Sequence, residues 1–183
     1  KSEIIENLYP RGTIILNRDD KFFNYLFKKA KAYGVKISTF GVHKKSDICL
    51  KKIVKQSNFS KIFIKINNKT IALQIGDLNI KNVLSTVAVL KELDIDISKI
   101  KNNFKNFQSP KGKGRKHYIN RYKKKFKLID ESYNANPLSV KNAINKLTSI
   151  KKKKSKKLLV LGDMLELGSK SKKYHEELSK VIN

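Results

Sequence analysis

The sequence predicts an α/β protein built from two incomplete parallel-sheet α/β units joined by a short glycine-rich linker. Short apolar runs alternate with segments of helical periodicity, which is typical of a parallel sheet covered by helices. At residues 109–116 glycine and charged residues replace apolar ones, which is typical of a linker. The alternation of strand and helix then begins again. We therefore place one unit at residues 1–114 and the other at residues 115–183.

The first unit opens with a strand, a helix and a second strand. Residues 13–16 form an apolar run that predicts a buried strand ending at Asn17. Apolar residues recur at helical spacing between Phe22 and Ala30, and Gly34 ends that helix. Residues 35–40 alternate like a strand, so this segment predicts a parallel strand pair.

A hairpin and two helices complete the first unit. Residues 47–54 predict a strand, and the runs 62–66 and 70–75 flank Asn67-Asn68, a favourable turn pair. We interpret this hairpin as a local antiparallel insertion. The apolar positions of residues 79–93 lie on one helix face, and residues 98–107 predict a shorter helix.

The second unit is predicted to have the order β-α-β-α. A basic, hairpin-like stretch at residues 118–127 leads into a strand that ends at Asp130. Asn136 as cap and Pro137 in the first turn predict a helix that runs to about residue 150. Residues 158–161 form a continuous apolar run that predicts a buried strand, and residues 168–169 lead into a last helix.

The composition limits the classes of function. The formal net charge is +27, and 38 of the 42 basic residues are lysine. A nucleic-acid-binding module would explain this charge, but base readout favours arginine, and aromatics are not interleaved with the basic runs in the way that a stacking platform requires. Lysine, isoleucine and asparagine share A/T-rich codons, so we favour composition drift, with residues 151–157 as a solvated loop. A single cysteine, Cys49, excludes an internal disulfide and a cysteine-based zinc site, and a free thiol suits a reducing cytoplasm.

Three polar clusters follow predicted strands and precede predicted helices, at residues 17–20, 130–136 and 162–166. Open parallel sheets bind ligands beyond the carboxyl ends of their strands, where helix N-termini favour anions. Acids at these ends can hold ribose hydroxyls or an ammonium group. Asp, Asn and Gly are equally what any β-to-α turn prefers, so a purely structural interpretation remains open.

Several single residues are candidates for binding. Asn79 and Asn82 lie one turn apart at a helix start, where a carboxamide can match the adenine edge or simply cap the helix. Arg115 can contact a phosphate or ribose. The three histidines show no ligand spacing, and the sequence contains neither Gly-x-x-x-x-Gly-Lys-Ser/Thr nor Gly-x-Gly-x-x-Gly. The residues alone therefore predict candidate nucleotide-binding sites but do not indicate a reaction.

Two motifs identify a resemblance. Residues 130–137 read Asp-Glu-Ser-Tyr-Asn-Ala-Asn-Pro, and residues 161–168 read Leu-Gly-Asp-Met-Leu-Glu-Leu-Gly. Both resemble segments, at similar spacing, of the Mur ligases that add D-alanyl-D-alanine to a peptidoglycan precursor. His175 lies where that family often has a histidine. Gly114-Arg115 and the segments 76–82 and 15–20 resemble further Mur ligase motifs in the same order, with Leu78 where the family usually has histidine.

The resemblance implies a fold and a reaction. Residues 1–114 would be the C-terminal portion of the ATP-binding central domain, and residues 115–183 the N-terminal portion of the Rossmann-like C-terminal domain, which closes over the amino substrate. The terminal carboxylate of UDP-N-acetylmuramoyl-tripeptide would be phosphorylated by ATP, and the amine of D-alanyl-D-alanine would attack the acyl phosphate. Domain closure would bring amine and acyl phosphate together and exclude water.

The resemblance also implies roles for individual residues. Asn79 and Asn82 would lie near the adenine, and Asn17 near the nucleotide. Arg115 and Glu131 would contact the ribose and phosphates. No catalytic residue and no metal ligand is assigned in this chain. The candidates for the D-alanyl-D-alanine side are Ser132, Asn134, Asn136 and Asp163.

We expect this chain to be a fragment that is inactive alone, because the family's phosphate loop and Mg²⁺ ligands precede the point where it begins. The complete ligase is expected to be a cytoplasmic monomer without a membrane span or a nucleic-acid partner. It would serve peptidoglycan synthesis, and hence cell shape and division. The alternatives are a basic nucleic-acid-binding module and a sister Mur ligase that adds a different amino acid. The Ser-Tyr-Asn-Ala-Asn run argues against the sister ligase.

Overall fold

The computed structural model describes residues 2–8, 12–57, 59–76, 78–150 and 156–182. The chain folds into two compact units, Lys1–Gln108 and Ser109–Asn183. The division lies before the glycine-rich segment, whereas the sequence placed it between Gly114 and Arg115. The amide N–H groups of Gly112 and Gly114 donate to the side chain and the backbone carbonyl of Asp130, at 3.1 and 2.8 Å. These hydrogen bonds tie the predicted linker to the second unit.

The first unit contains one five-stranded mixed sheet in the order β1-β2-β3-β4-β5. β1 pairs with β2 and β2 with β3 in parallel, and the β4–β5 hairpin continues the sheet antiparallel to β3. The hairpin is therefore part of the main sheet rather than a local insertion. The strands are β1 (Thr13–Asn17), β2 (Lys36–Gly41), β3 (Ile48–Lys55), β4 (Ser60–Ile66) and β5 (Lys69–Ile75).

Two helices flank the sheet as predicted. α1 (Phe23–Ala32) follows β1 and ends before Gly34, whose φ of +64° is readily adopted by glycine. α2 (Ile80–Glu92) has Asn79 as its N-cap. Its buried side chains recur at helical spacing and form the first core with the sheet. The largest fully buried side chains of this core are Ile48, Ile62, Ile64, Leu73, Ile75, Leu84 and Val87.

The prediction of one continuous helix over residues 98–107 was wrong. The structure has two single turns there, α3 (Ile97–Ile100) and α4 (Asn103–Asn106). The amides of Lys105 and Asn106 both donate to the carbonyl of Asn102, so a new turn begins at that residue. Asparagine is a poor former of helix interiors, and an Asn-Asn pair interrupts the segment here.

The second unit contains a hairpin and two helices. β6 (Arg115–Arg121) and β7 (Lys124–Asp130) are antiparallel, and the turn residues Tyr122 and Lys123 have φ of +52° and +57°. α5 (Pro137–Thr148) begins at the predicted cap, and a 3₁₀ turn at Gly168–Lys170 leads into α6 (Ser171–Ile182). Ile144, Met164 and Leu178 form a second, small core.

The predicted strand at residues 158–161 is not formed. Among the described residues of the second unit, the strand pairing is the antiparallel pair β6–β7, and Leu158 and Val160 are each 84% exposed. A strand needs a neighbour to pair its backbone groups, and this apolar segment has none in the described ranges. In place of the predicted parallel β-α-β-α order, the described residues form a hairpin, a helix, a segment without regular secondary structure and a second helix. Residues 151–155 of the lysine run lie outside the described residues.

Candidate functional site

The polar cluster after β1 organises the strand-to-helix turn. The Asn17 side chain accepts the Asp19 amide at 3.1 Å, and the Asp20 side chain accepts the Phe22 amide at 2.9 Å. The Asp19 carboxylate accepts the amides of Val42 and His43, at 2.7 and 3.1 Å, and so holds the loop after β2. The structural interpretation of this cluster thus accounts for Asp19 and for the acceptor atom of Asn17.

The segment 76–82 ends in the first turn of α2. The Asn79 side-chain oxygen accepts the Lys81 amide at 2.9 Å, which leaves its amide group for another partner. Asn82 lies on the exposed side of the helix. A Cβ at Gly76 would lie 2.9 Å from the carbonyl oxygen of Lys105, so only glycine lets this strand end approach α4. Leu78, which replaces the family's histidine, packs against the first core; Asp77 lies outside the described residues.

Asp130 organises the turn that follows β7. Its carboxylate accepts the Ser132 hydroxyl at 2.6 Å, the Ser132 amide at 3.1 Å and the Gly112 amide at 3.1 Å. These hydrogen bonds, with that of the Ser132 hydroxyl the strongest influence, hold the pKa of Asp130 below its usual range. The carboxylate is therefore charged at neutral pH and fixes the turn that presents the neighbouring candidates.

Glu131 and Arg115 lie beside this turn. The Glu131 side chain is exposed and lies over Gly114, where an added Cβ would be 3.0 Å from Oε1. Arg115 begins β6 opposite Asp130 and is half-buried. A carboxylate suits a ribose diol and a guanidinium suits a phosphate, so the chemistry of these two groups fits the nucleotide contacts expected of them.

Asn134, Ala135 and Asn136 alternate in their environment. Asn134 is exposed, Ala135 packs against the second core, and Asn136 caps α5. The Asn136 side chain accepts the Ser139 amide at 2.9 Å, and the Ser139 hydroxyl accepts the Asn136 amide at 3.0 Å. This capping box uses the Asn136 oxygen, so Asn134 is the freer carboxamide of the two.

The loop at residues 162–166 is held from both sides. Met164 is buried in the second core, whereas Asp163 is exposed, with its Oδ1 3.9 Å from Nε2 of His175. The Met164 amide donates to that same Nε2 at 3.2 Å. Because Ala135 and Met164 pack in one cluster, the two motif loops meet at the same core.

Two cavities lie away from these residues. One of about 450 Å³ in the first unit is lined by residues that include Lys36 and Glu92, which form an ion pair of 2.8 Å. The other, of about 460 Å³, lies against the β6–β7 turn. Neither contains a predicted site residue. Across the described ranges no group of three or more His, Cys, Asp or Glu side chains could hold a metal ion, and no helix is long and apolar enough to cross a membrane.

The sequence interpretation missed the residues that position the candidates. Ala135 and Met164 lie within the quoted motifs but carried no proposed role, and Asp130 was considered only as a strand-end acid that could hold a ligand. An apolar residue flanked by polar ones, as at Ala135 and Met164, is the pattern that indicates an anchor inside a polar loop. His175 was noted for its place in the sequence, and its contact with the loop is visible only in three dimensions.

Comparisons with known proteins bear on both units. Residues 1–90 match the model of the Mur ligase middle domain, and residues 114–183 match that of the Mur ligase, glutamate ligase domain. The chain is 30% identical, over 185 residues, to the UDP-N-acetylmuramoyl-tripeptide–D-alanyl-D-alanine ligase of Buchnera aphidicola subsp. Baizongia pistaciae. That alignment covers all of this chain and 38% of the relative, so the chain spans well under half of the relative's length.

Solved structures share the fold. MurF from Acinetobacter baumannii superposes over the whole chain with a TM-score of 0.81 at 24% identity, and the chain covers 38% of it. MurF from Thermotoga maritima, solved in complex with ADP, superposes over 99% of the chain with a TM-score of 0.75 at 23% identity, and the chain covers 40% of it. With a family model matched in each unit and the fold shared throughout, the chain belongs to the Mur ligase family.

Proposed function

We propose that this chain is part of an ATP-dependent ligase that joins D-alanyl-D-alanine to UDP-N-acetylmuramoyl-tripeptide in peptidoglycan precursor synthesis. The observation that carries the proposal is the ordered turn after β7, in which Asp130 fixes the backbone while Glu131, Ser132 and Asn134 remain exposed. The relative from Buchnera aphidicola bears the name of this activity and aligns with the whole chain.

Each unit by itself carries groups that suit part of a nucleotide. In the first unit, Asn79 and the exposed Asn82 offer carboxamides for an adenine edge, and Asn17 lies at the end of a parallel strand. In the second unit, Arg115 and Glu131 offer a cation and an anion for phosphate and ribose. The Thermotoga maritima protein was solved with ADP, which supports an adenine nucleotide as ligand.

The amino-substrate side uses Ser132, Asn134, Asn136 and Asp163. An exposed carboxylate such as that of Asp163 attracts the ammonium group of a dipeptide, and the carboxamide of Asn134 can orient its carboxylate or its peptide bond. In the reaction, the tripeptide carboxylate takes the γ-phosphoryl group and ADP leaves. The deprotonated amine then forms the amide bond as phosphate leaves. These residues would orient the amine for that attack.

Mg²⁺ is proposed as the companion of ATP, held by residues outside the part of the chain that the structure describes. The sequence also has no phosphate loop of the Gly-x-x-x-x-Gly-Lys-Ser/Thr type. We therefore propose that the activity belongs to the longer protein, a cytoplasmic monomer, and that this chain supplies the amino-substrate side and part of the adenine site.

The test is a ligase assay of the complete protein. We expect phosphate release that requires ATP, UDP-N-acetylmuramoyl-tripeptide and D-alanyl-D-alanine together. Asn134→Ala should raise KM for the dipeptide with little change in KM for ATP, while Asn145→Ala, on the same unit and away from the turn, should change neither. Activity with meso-diaminopimelate or lysine instead of the dipeptide would assign the chain to a sister ligase.

A further inference from the structure

His175 is the side chain that connects α6 to the loop carrying Asp163. Its Nδ1 lies 2.9 Å from the carbonyl oxygen of Ser171, one turn earlier in the helix, and its Nε2 lies 3.2 Å from the amide nitrogen of Met164. A carbonyl oxygen only accepts and a backbone amide only donates. The two contacts together therefore require a neutral imidazole with its proton on Nδ1.

The loop has few other anchors. The Met164 side chain is 2% exposed and packs with Ile144 and Leu178, but Asp163 on one side is 88% exposed and Leu165 on the other is 75% exposed. The side chain of Met164 fixes the depth of the loop. The hydrogen bond to His175 fixes the direction of its backbone, and thereby the position of the Asp163 carboxylate.

We propose that His175 is a positioning residue that holds the Asp163–Met164 backbone by accepting the Met164 amide at Nε2. A second proton on Nε2 would replace the acceptor with a donor, break this hydrogen bond and favour Oδ1 of Asp163, which lies 3.9 Å away. Loop and carboxylate would then leave the arrangement of the neutral state. The consequence for dipeptide binding rests on the proposed function, whereas the hold on the loop does not.

Charged residues close to His175 in the chain, or on the helix that packs against α6, lie on four elements. The loop contributes Asp163 and Glu166, and the 3₁₀ turn contributes Lys170. α6 itself carries Lys172 and Glu176, which pair with each other at 4.0 Å. The remaining charged residues of α6 and of α5, which packs against it, are Lys173, Glu177, Lys180, Lys141 and Lys146.

Two carboxamide variants separate the two contacts of the ring. In His175→Gln the side-chain oxygen reaches the place of Nε2, so the acceptor for Met164 is kept without a group that titrates. In His175→Asn the carboxamide reaches only the place of Nδ1 and the Ser171 carbonyl. His175→Leu keeps the packing volume and removes both contacts. Lys172→Gln, on the same helix, is the matched control.

The direct readout is hydrogen exchange of the Met164 amide by NMR in the 183-residue chain, with the Leu178 amide as internal reference. We expect His175→Leu and His175→Asn to exchange roughly tenfold faster at Met164, the effect of losing one hydrogen bond, with His175→Gln and Lys172→Gln unchanged.

Equal exchange of the Met164 amide in the Gln and Leu variants would overturn the proposal. If a variant also loses protection at Leu178, its fold is damaged and its exchange at Met164 is not informative. The ¹⁵N chemical shifts of the wild-type His175 ring then test the proposal. A proton found on Nε2 at neutral pH would refute the proposal that Nε2 accepts the Met164 amide. In the complete ligase, His175→Leu should raise KM for D-alanyl-D-alanine about tenfold more than it lowers kcat, which is again the effect of losing one hydrogen bond. His175→Gln should restore the wild-type KM. If the complete protein does not ligate the dipeptide but the expected differences in Met164 exchange are observed, only the proposed function is contradicted.

Discussion

At the scale of single residues, the turn at residues 130–137 contains two kinds of polar side chain: those that hold the turn and the helix cap, and those that remain exposed. The motif at residues 130–137 identified Glu131 and Asn134, which the structure leaves exposed. It did not distinguish them from Asp130 and Asn136, whose side chains are committed to the turn and to the helix cap. Local hydrogen bonding decides between these roles, and a sequence motif does not contain that geometry.

The pKa of Asp130 offers a test of how the turn is held. Since the Ser132 hydroxyl is the strongest influence lowering that pKa, Ser132→Ala should raise it toward the usual range of aspartate. A group with a lowered folded-state pKa stabilises the fold above about pH 4, and this stabilisation is lost as the pH falls through the folded-state value. In the variant the stabilisation should therefore be smaller, and its loss should be complete at a higher pH.

Carboxyl ¹³C titration of Asp130 measures this shift. Ser149→Ala, which removes a hydroxyl that donates to the Lys146 carbonyl in α5, is the control and should leave the Asp130 pKa unchanged. An unchanged pKa in Ser132→Ala would mean that the backbone amides, and not the hydroxyl, hold the carboxylate in its charged form.

Three glycines of the second unit form a graded series. A Cβ at Gly112, with φ of +73°, would lie 2.7 Å from the Tyr133 amide nitrogen; Gly168 has φ of +56° and open space; Gly162 has neither constraint. Substitution by alanine should lower the free energy of unfolding by about 1–3 kcal/mol at Gly112 and by about 1 kcal/mol at Gly168. The same substitution at Gly162 should not lower the free energy of unfolding. Urea unfolding gives the order, and equal losses at all three positions would contradict the geometry.

At the scale of elements, the sequence was most informative where a local signal and a buried face agree. β1, α1, β2, α2 and α5 were predicted within a residue or two, because apolar periodicity and capping residues both marked them. The helix over residues 98–107 and the strand at 158–161 failed for different reasons. An Asn-Asn pair broke the first, and the second depends on a pairing neighbour that no local pattern supplies.

The cap of α5 separates a structural role from a binding role at Asn136. Serine is a comparable cap, so Asn136→Ser should retain the free energy of unfolding, whereas Asn136→Ala should lose about 1 kcal/mol. Thermal or urea unfolding measures both. In the complete ligase, a raised KM for D-alanyl-D-alanine in the stable Ser variant would give the carboxamide a role in binding. An unchanged KM would leave Asn136 as a cap alone.

At the scale of the whole chain, charge and exposed apolar surface act in opposite directions. The formal net charge of +27 repels other copies of the chain, while the second unit exposes several large apolar side chains. The most exposed of these are Tyr118, Tyr122, Leu158, Val160 and Leu165, at 81%, 89%, 84%, 84% and 75%. Which effect prevails depends on how far the charge is screened.

We expect the 183-residue chain to be monomeric at low salt and to self-associate as salt rises. The screening length falls from about 10 Å at 0.1 M to about 3 Å at 1 M, so repulsion fades while the attraction between apolar surfaces persists. Analytical ultracentrifugation across this range measures the effect. Leu158→Lys with Val160→Lys should abolish the association, and Leu93→Lys, at an exposed site of the first unit, should not. Association that weakens with salt would indicate ionic contacts instead.

Tyr133 is a suitable position for an intrinsic fluorescence probe. The sequence contains no tryptophan, and this side chain is 68% exposed, with the ammonium group of Lys113 4.1 Å from its ring centroid. It stands in the turn between Ser132 and Asn134. A tryptophan introduced there would be the single indole of the protein, so its emission would report on the environment of this one turn. Without this tryptophan, the intrinsic fluorescence comes from the seven tyrosines, and their signal averages over both units.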